Sequence, residues 1–142
     1  MTNSLPPHPP PPSPPEPRIL IIGAGITGLT LAQCLKKDSI PFTIFERDPS
    51  VSFPRRDWGL TIDWSLDTFL SLLPQHLIDR LPSAYVDPAL TARGENGCPR
   101  FFDLQTGEAR WKMPPLKSIR VSRERLRELL LDGLDVRVST SK

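Results

Sequence analysis

Residues 19–46 read I-L-I-I-G-A-G-I-T-G-L-T-L-A-Q-C-L-K-K-D-S-I-P-F-T-I-F-E, and this stretch decides the fold. Gly23, Gly25 and Gly28 form a G-x-G-x-x-G. The apolar run Ile19 to Ile22 before it is rich in β-branched residues, which predicts a strand of a parallel sheet buried on both faces. A helix is expected from about Ile26 to Lys37, then a second strand over Phe42 to Phe45 with Glu46 at its end. A glycine triplet alone is weak evidence. Inside a complete strand–turn–helix–strand frame, with an acid about 20 residues on, it specifies an α/β, Rossmann-like βαβ core with a dinucleotide site.

Each residue type has a reason to be there. Gly23 tolerates the backbone angles of a sharp turn out of a strand. Gly25 has no side chain to keep a pyrophosphate from the backbone, and Gly28 lets helix and strand pack closely. Ala32, one turn later on the same face, is also small. The first helical amides lack intrahelical acceptors and sit at the positive end of the dipole, and both favour a phosphate. Glu46 can accept from ribose hydroxyls and would repel a 2′-phosphate. The competing reading is a glycine-rich turn with a merely solvated Glu46. Asp38 and Ser39 stand where a helix usually leaves through glycine, so one of them is expected in the left-handed region.

Working outward, the chain has 142 residues, enough for one domain, and a net charge of only +2, which does not indicate a broad nucleic-acid surface. Cys34 and Cys98 are too few and too far apart for a disulfide framework or zinc site, and Cys34 is expected as a buried thiol. No metal site is expected. No apolar run approaches membrane-spanning length. Residues 1–17 are mostly proline, without the basic and apolar regions of a secretory signal. They read as a disordered, extended leader or, alternatively, as a polyproline II ligand for an SH3-like or WW-like partner. A cytoplasmic location is expected. The second unit, residues 18–142, is expected to carry the dinucleotide-binding domain.

Beyond the fingerprint, Arg47 to Trp58 reads as loop and Gly59 to Asp63 as a short strand. Leu66, Phe69, Leu70 and Leu73 predict one helix, and Leu77, Ile78 and Leu81 a second that ends before Pro82, both serving packing. Tyr85 to Pro99 is loop-like. Arg100 to Lys112 predicts a hairpin turning near Thr106-Gly107. Ile119 to Val121 is a strand, Ser122 an N-cap, and Arg123 to Leu131 a helix with the stripe Leu126, Leu129, Leu130. Asp135 to Val138 is a last strand.

Three segments resemble the FAD-dependent monooxygenases of the aromatic-hydroxylase, salicylate-hydroxylase-like type. They are the fingerprint with Glu46 and the following Arg47; R-R-D-W-G-L-T-I-D-W, Arg55 to Trp64; and S-R-E-R-L-R-E-L-L, Ser122 to Leu130, with the R-x-x-L start at Arg123 and Leu126. The resemblance implies FAD as cofactor, with NADH or NADPH as reductant. Glu46 would hold the adenosine ribose, and the amides from Gly25 to Thr27 the pyrophosphate. Gly59, or the loop from Arg56, would lie toward the flavin, and Arg123 would meet a phosphate or ribityl oxygen.

The family's later D-G and G-D motifs do not appear in their contexts; Asp132-Gly133 directly follows a helix. The resemblance therefore implies an N-terminal portion, no catalytic residue in this chain, and hydroxylation of a small aromatic or polyketide-like substrate only in an intact enzyme. A nicotinamide-binding module and a non-enzymatic interaction protein are the alternatives.

Overall fold

The computed structural model describes residues 19–48, 58–94, 96, 100–112 and 117–138. The proline-rich leader, Arg56 and most of the loop before Trp58 lie outside them. Strand β1 (Ile19–Ile22), helix α1 (Ile26–Lys37) and strand β2 (Phe42–Glu46) form the expected unit. β1 and β2 pair in parallel with Ile21 opposite Ile44, and β7 (Val136–Val138) adds in parallel to the far side of β2, giving the order β1-β2-β7.

A second, antiparallel ribbon joins β3 (Gly59–Ile62) to β6 (Ile119–Ser122), with Gly59 opposite Ser122. Between its strands lie α2 (Leu66–Leu72), α3 (Gln75–Arg80), α4 (Pro88–Ala92) and the hairpin of β4 (Arg100–Phe102) and β5 (Ala109–Lys112). Asp103 Oδ1 accepts from the amides of Gln105 and Thr106 in the hairpin turn, and Gly107 takes a φ of 71°. Helix α5 (Arg123–Leu130) begins at Ser122, whose hydroxyl accepts from the Arg125 amide as an N-cap should.

The core follows from these faces. α1 buries Leu29, Ala32 and Leu35, and α5 buries Leu126, Leu129 and Leu130 against the same cluster, which Ile21 and Ile44 join from the sheet. α1 also closes the C-terminal end of α5. The buried Gln33 amide donates to the carbonyls of Leu130 (2.7 Å) and Asp132 (3.0 Å), and Lys36 Nζ donates to that of Gly133 (2.8 Å). These bonds satisfy carbonyls that a helix end leaves without partners.

Three expectations need correction. β1 is not buried on both faces. Leu20 and Ile22 are 60% and 81% exposed and only Ile21 is buried, because β1 has one paired neighbour, β2, and one face covered by α1. The segment after Tyr85 is not all loop. Asp87 caps α4 through the Leu90 amide, Pro88 opens it, and Tyr85 bridges to Val121. The helix over residues 75–80 does end before Pro82, as expected, and a separate 3-10 turn, Leu81–Ala84, follows and includes that proline. Cys34 is half-buried rather than buried. Ser39, by contrast, takes the left-handed conformation that the missing glycine implied, at φ 58°. Among the described residues no helix is long and apolar enough to cross a membrane.

The glycines of the fingerprint divide into two kinds, and substitution separates them. A Cβ on Gly28 would lie 2.2 Å from the Gly23 carbonyl oxygen, so Gly28→Ala forces backbone movement. It should lower stability by about 1–3 kcal/mol in a chemical denaturation experiment. A Cβ on Gly25 meets nothing within 4 Å, and its φ is −78°. Gly25→Ala should therefore change stability by less than about 0.5 kcal/mol.

Candidate dinucleotide-binding site

The turn between β1 and α1 is held by backbone. Gly23 has a φ of 98° and donates its amide to the Phe45 carbonyl at 2.7 Å, which ties the turn to β2. Such a φ favours glycine, as the spacing demanded. Gly25 is the N-cap of α1, and the helical ladder starts with the Leu29 amide on its carbonyl at 2.9 Å. No side chain caps this end, and the first turn carries no acid. Open space in front of Gly25, uncapped amides at Ile26 and Thr27, and the positive end of a 12-residue helix are what an anion needs. Lys36 and Lys37 lie at the other end, where cations suit the dipole.

Glu46 closes this turn from the end of β2. Its Oε2 accepts from the Ala24 amide at 2.7 Å, and its Oε1 accepts from the amides of Arg47 (2.7 Å) and Asp48 (2.9 Å). The carboxyl is held below its ordinary value of 4.5, chiefly by the Asp48 amide. Burial pulls the other way, while the Ala24 and Arg47 amides and the Arg127 guanidinium reinforce the lowering. Glu46 is thus an anion at neutral pH and can only accept. A carboxylate offers about four lone-pair sites, of which the amides take three. One acceptor position therefore remains for a further donor.

The residues expected nearer the flavin are gathered by the β3–β6 ribbon. Gly59 faces Ser122 across the ladder, and the Arg123 amide donates to the Trp58 carbonyl at 3.2 Å. Gly59 and Arg123 are therefore neighbours, although 64 positions separate them in sequence (123 − 59). The Arg120 guanidinium lies over Gly59, where an added Cβ would meet it at 3.0 Å. Arg123 is exposed at the start of α5, and Arg47 is exposed beside Asp48, 3.8 Å away. Arg56 lies outside the described residues.

The sequence reading passed over Arg127. This arginine, one turn beyond Arg123 on α5, donates its Nε to the Ala24 carbonyl at 2.7 Å and lies 3.7 Å from Glu46 Oε2. A signal existed. Two arginines at i and i+4 repel on a helix unless partners compensate them. Arg127 also connects the two halves of the site, since α5 starts beside Gly59 and reaches the fingerprint one turn later.

Comparison with known proteins agrees with the fold. Residues 21–81 match the family model described as an NAD(P)-binding Rossmann-like domain. A protein of Arthroderma benhamiae assigned as an FAD-dependent monooxygenase is 64% identical over 120 residues, covering 84% of this chain and 28% of the relative. An FAD-dependent monooxygenase of Emericella nidulans is 42% identical, covering 83% of this chain and 30% of its own length. Among solved structures, a protein of Photorhabdus luminescens assigned as an FAD-containing monooxygenase superposes with a TM-score of 0.62 at 26% identity, over 85% of this chain and 30% of that one. The 2,6-dihydroxypyridine-3-hydroxylase of Arthrobacter nicotinovorans, at 22% identity and a TM-score of 0.59, shares the fold. The chain spans under a third of the length of these relatives. By sequence and fold, it corresponds to the dinucleotide-fingerprint portion of the FAD-dependent monooxygenases.

Proposed function

We propose that this chain binds the ADP half of FAD, with Glu46 on the adenosine ribose and the amides of Gly25, Ile26 and Thr27 on the pyrophosphate. The observation that carries this reading is the anionic Glu46, hydrogen-bonded to Ala24 beside an uncapped helix start with open space at Gly25. Arg47, the next residue along, is the further candidate for the ribose side. Gly59 and Arg123 extend the site toward the flavin, and Arg56 is proposed with them from the sequence alone; a fixed cation at Arg123 suits a phosphate or ribityl oxygen.

In a complete monooxygenase the flavin, once reduced by NADH or NADPH, supplies the oxygen-activating chemistry. This chain's residues contribute binding and orientation. The hydroxylation itself, on a small aromatic or polyketide-like substrate, needs a closed, water-poor pocket. The exposed Leu20 and Ile22 on β1, and Phe101, Phe102 and Trp111 on the hairpin, are apolar surface that further protein would cover.

A nicotinamide dinucleotide shares the ADP half and is the second reading, favoured by the description of the matching family model. The relatives' names and the Gly59–Arg123 neighbourhood favour FAD. Titration of the full chain with FAD and with NAD⁺, followed by flavin fluorescence and calorimetry, separates the two. FAD should bind at least about tenfold more tightly, a difference of about 1.4 kcal/mol. Equal or tighter NAD⁺ binding would contradict the FAD reading. Glu46→Gln and Gly25→Ala should each weaken FAD by about tenfold or more. The second should do so with an unchanged denaturation midpoint.

The pH dependence has a fixed sign. Because folding lowers the Glu46 value, its contribution to stability is fully present above the ordinary carboxylate value of 4.5. That contribution is lost as pH falls through the lower folded value. Denaturation from pH 7 to pH 3 should show wild type losing more stability than Glu46→Gln over the acid range. Parallel curves would remove the electrostatic role.

A further inference from the structure

Ala24 is fastened from both sides. Its amide donates to Glu46 Oε2 at 2.7 Å, and its carbonyl accepts from Arg127 Nε at 2.7 Å. The Arg127 guanidinium lies 3.7 Å from that same Oε2, and the two side chains are only 18% and 15% exposed. The three groups thus form a closed triangle between residues 24, 46 and 127, drawn from the turn, the end of β2 and the middle of α5. An arginine needed only to pack α5 could satisfy its fork in solvent. This one spends one donor on the turn and places its charge against the ribose-facing carboxylate.

Other charged groups around Glu46 do less. Arg47 and Asp48, from the end of its own strand, pair with each other at 3.8 Å. From β7, the guanidinium carbon of Arg137 lies 6.0 Å from the centre of the Phe45 ring, one residue before Glu46. Arg127 is the basic group that α5 sets directly on Oε2.

We propose that Arg127 is a positioning residue that holds the Glu46 carboxylate and the turn around Ala24 in the arrangement that receives the adenosine ribose. α5, which packs on α1 and carries Arg123 one turn earlier, then sets affinity for the adenosine half without touching it. The assignment rests on the dinucleotide reading above, and the experiment keeps the two separable.

The full chain is prepared as wild type, Arg127→Met and Arg127→Lys, with ¹³C-labelled glutamate. Glu46 is followed by carboxyl NMR through a pH titration, and ADP and FAD binding by calorimetry. In Arg127→Met, the Glu46 midpoint should move upward and both ligands should weaken by about tenfold. Arg127→Lys keeps the charge but not the fork, so it should lie between the two. A purely structural arginine would lower the melting temperature while leaving the Glu46 midpoint where it was. An unmoved midpoint with unchanged ADP affinity overturns the proposal. If Arg127→Met does not fold, Arg127→Lys decides, and wild-type behaviour in both readouts overturns it. If wild type binds neither ADP nor FAD, the cofactor reading fails, and the Glu46 titration alone still shows whether Arg127 governs that carboxylate.

Discussion

The hydrogen bond from the Ala24 amide to Glu46 is the constraint around which the rest of this structure is arranged. It joins the first turn after β1 to the last residue of β2, and it works only if those two points are close. Parallel pairing brings them close, with Ile22 opposite Phe45. The Gly23 amide on the Phe45 carbonyl then bends the chain inward, and the absence of a side chain at Gly28 lets α1 seat on the turn. A partly buried carboxylate needs partners to remain charged. Glu46 has three amides and a guanidinium, so the site keeps its negative charge with no ligand needed to complete it.

The same logic reaches α5. Gln33 and Lys36 of α1 close the carbonyl end of α5, which fixes the rotation of α5 about its own axis. With Leu126, Leu129 and Leu130 turned inward, Arg127 is directed to Ala24 and Arg123 is left at the exposed start, next to the β3–β6 ribbon. Core packing and cofactor geometry therefore share one helix. A change that rotates α5 disturbs Arg123 and Arg127 together.

Local features were the ones legible in the amino-acid sequence. The βαβ unit was readable because strand, turn and helix signals agreed within 28 residues, and the left-handed Ser39 because the helix had no glycine to end on. Ser122 announced its cap through residue type. Non-local features were hidden. That β1 would have a single neighbour depends on strand order, which an apolar tetrapeptide does not encode. The Asp87-Pro88 start of α4 was a readable cap-and-proline signal, lost inside a segment that otherwise looked like loop. Arg127 meets a residue 103 positions away, so only its awkward spacing from Arg123 could have raised suspicion. For the candidate site, the residues proposed for ribose and phosphate were legible in the fingerprint, while the nearness of Gly59 to Arg123 came from ladder register.

The central claim is that one continuous strip, from Glu46 through the turn at Gly25 to Gly59 and Arg123, receives an extended dinucleotide cofactor. Amide chemical-shift mapping of the ¹⁵N-labelled full chain during FAD addition tests it most directly. The account predicts saturable shifts at Gly25, Ile26, Thr27, Glu46, Arg47, Gly59 and Arg123, with the exposed hairpin at Phe101 and Trp111 unmoved. Shifts confined to the hairpin, or none along the strip at saturating FAD, would contradict it.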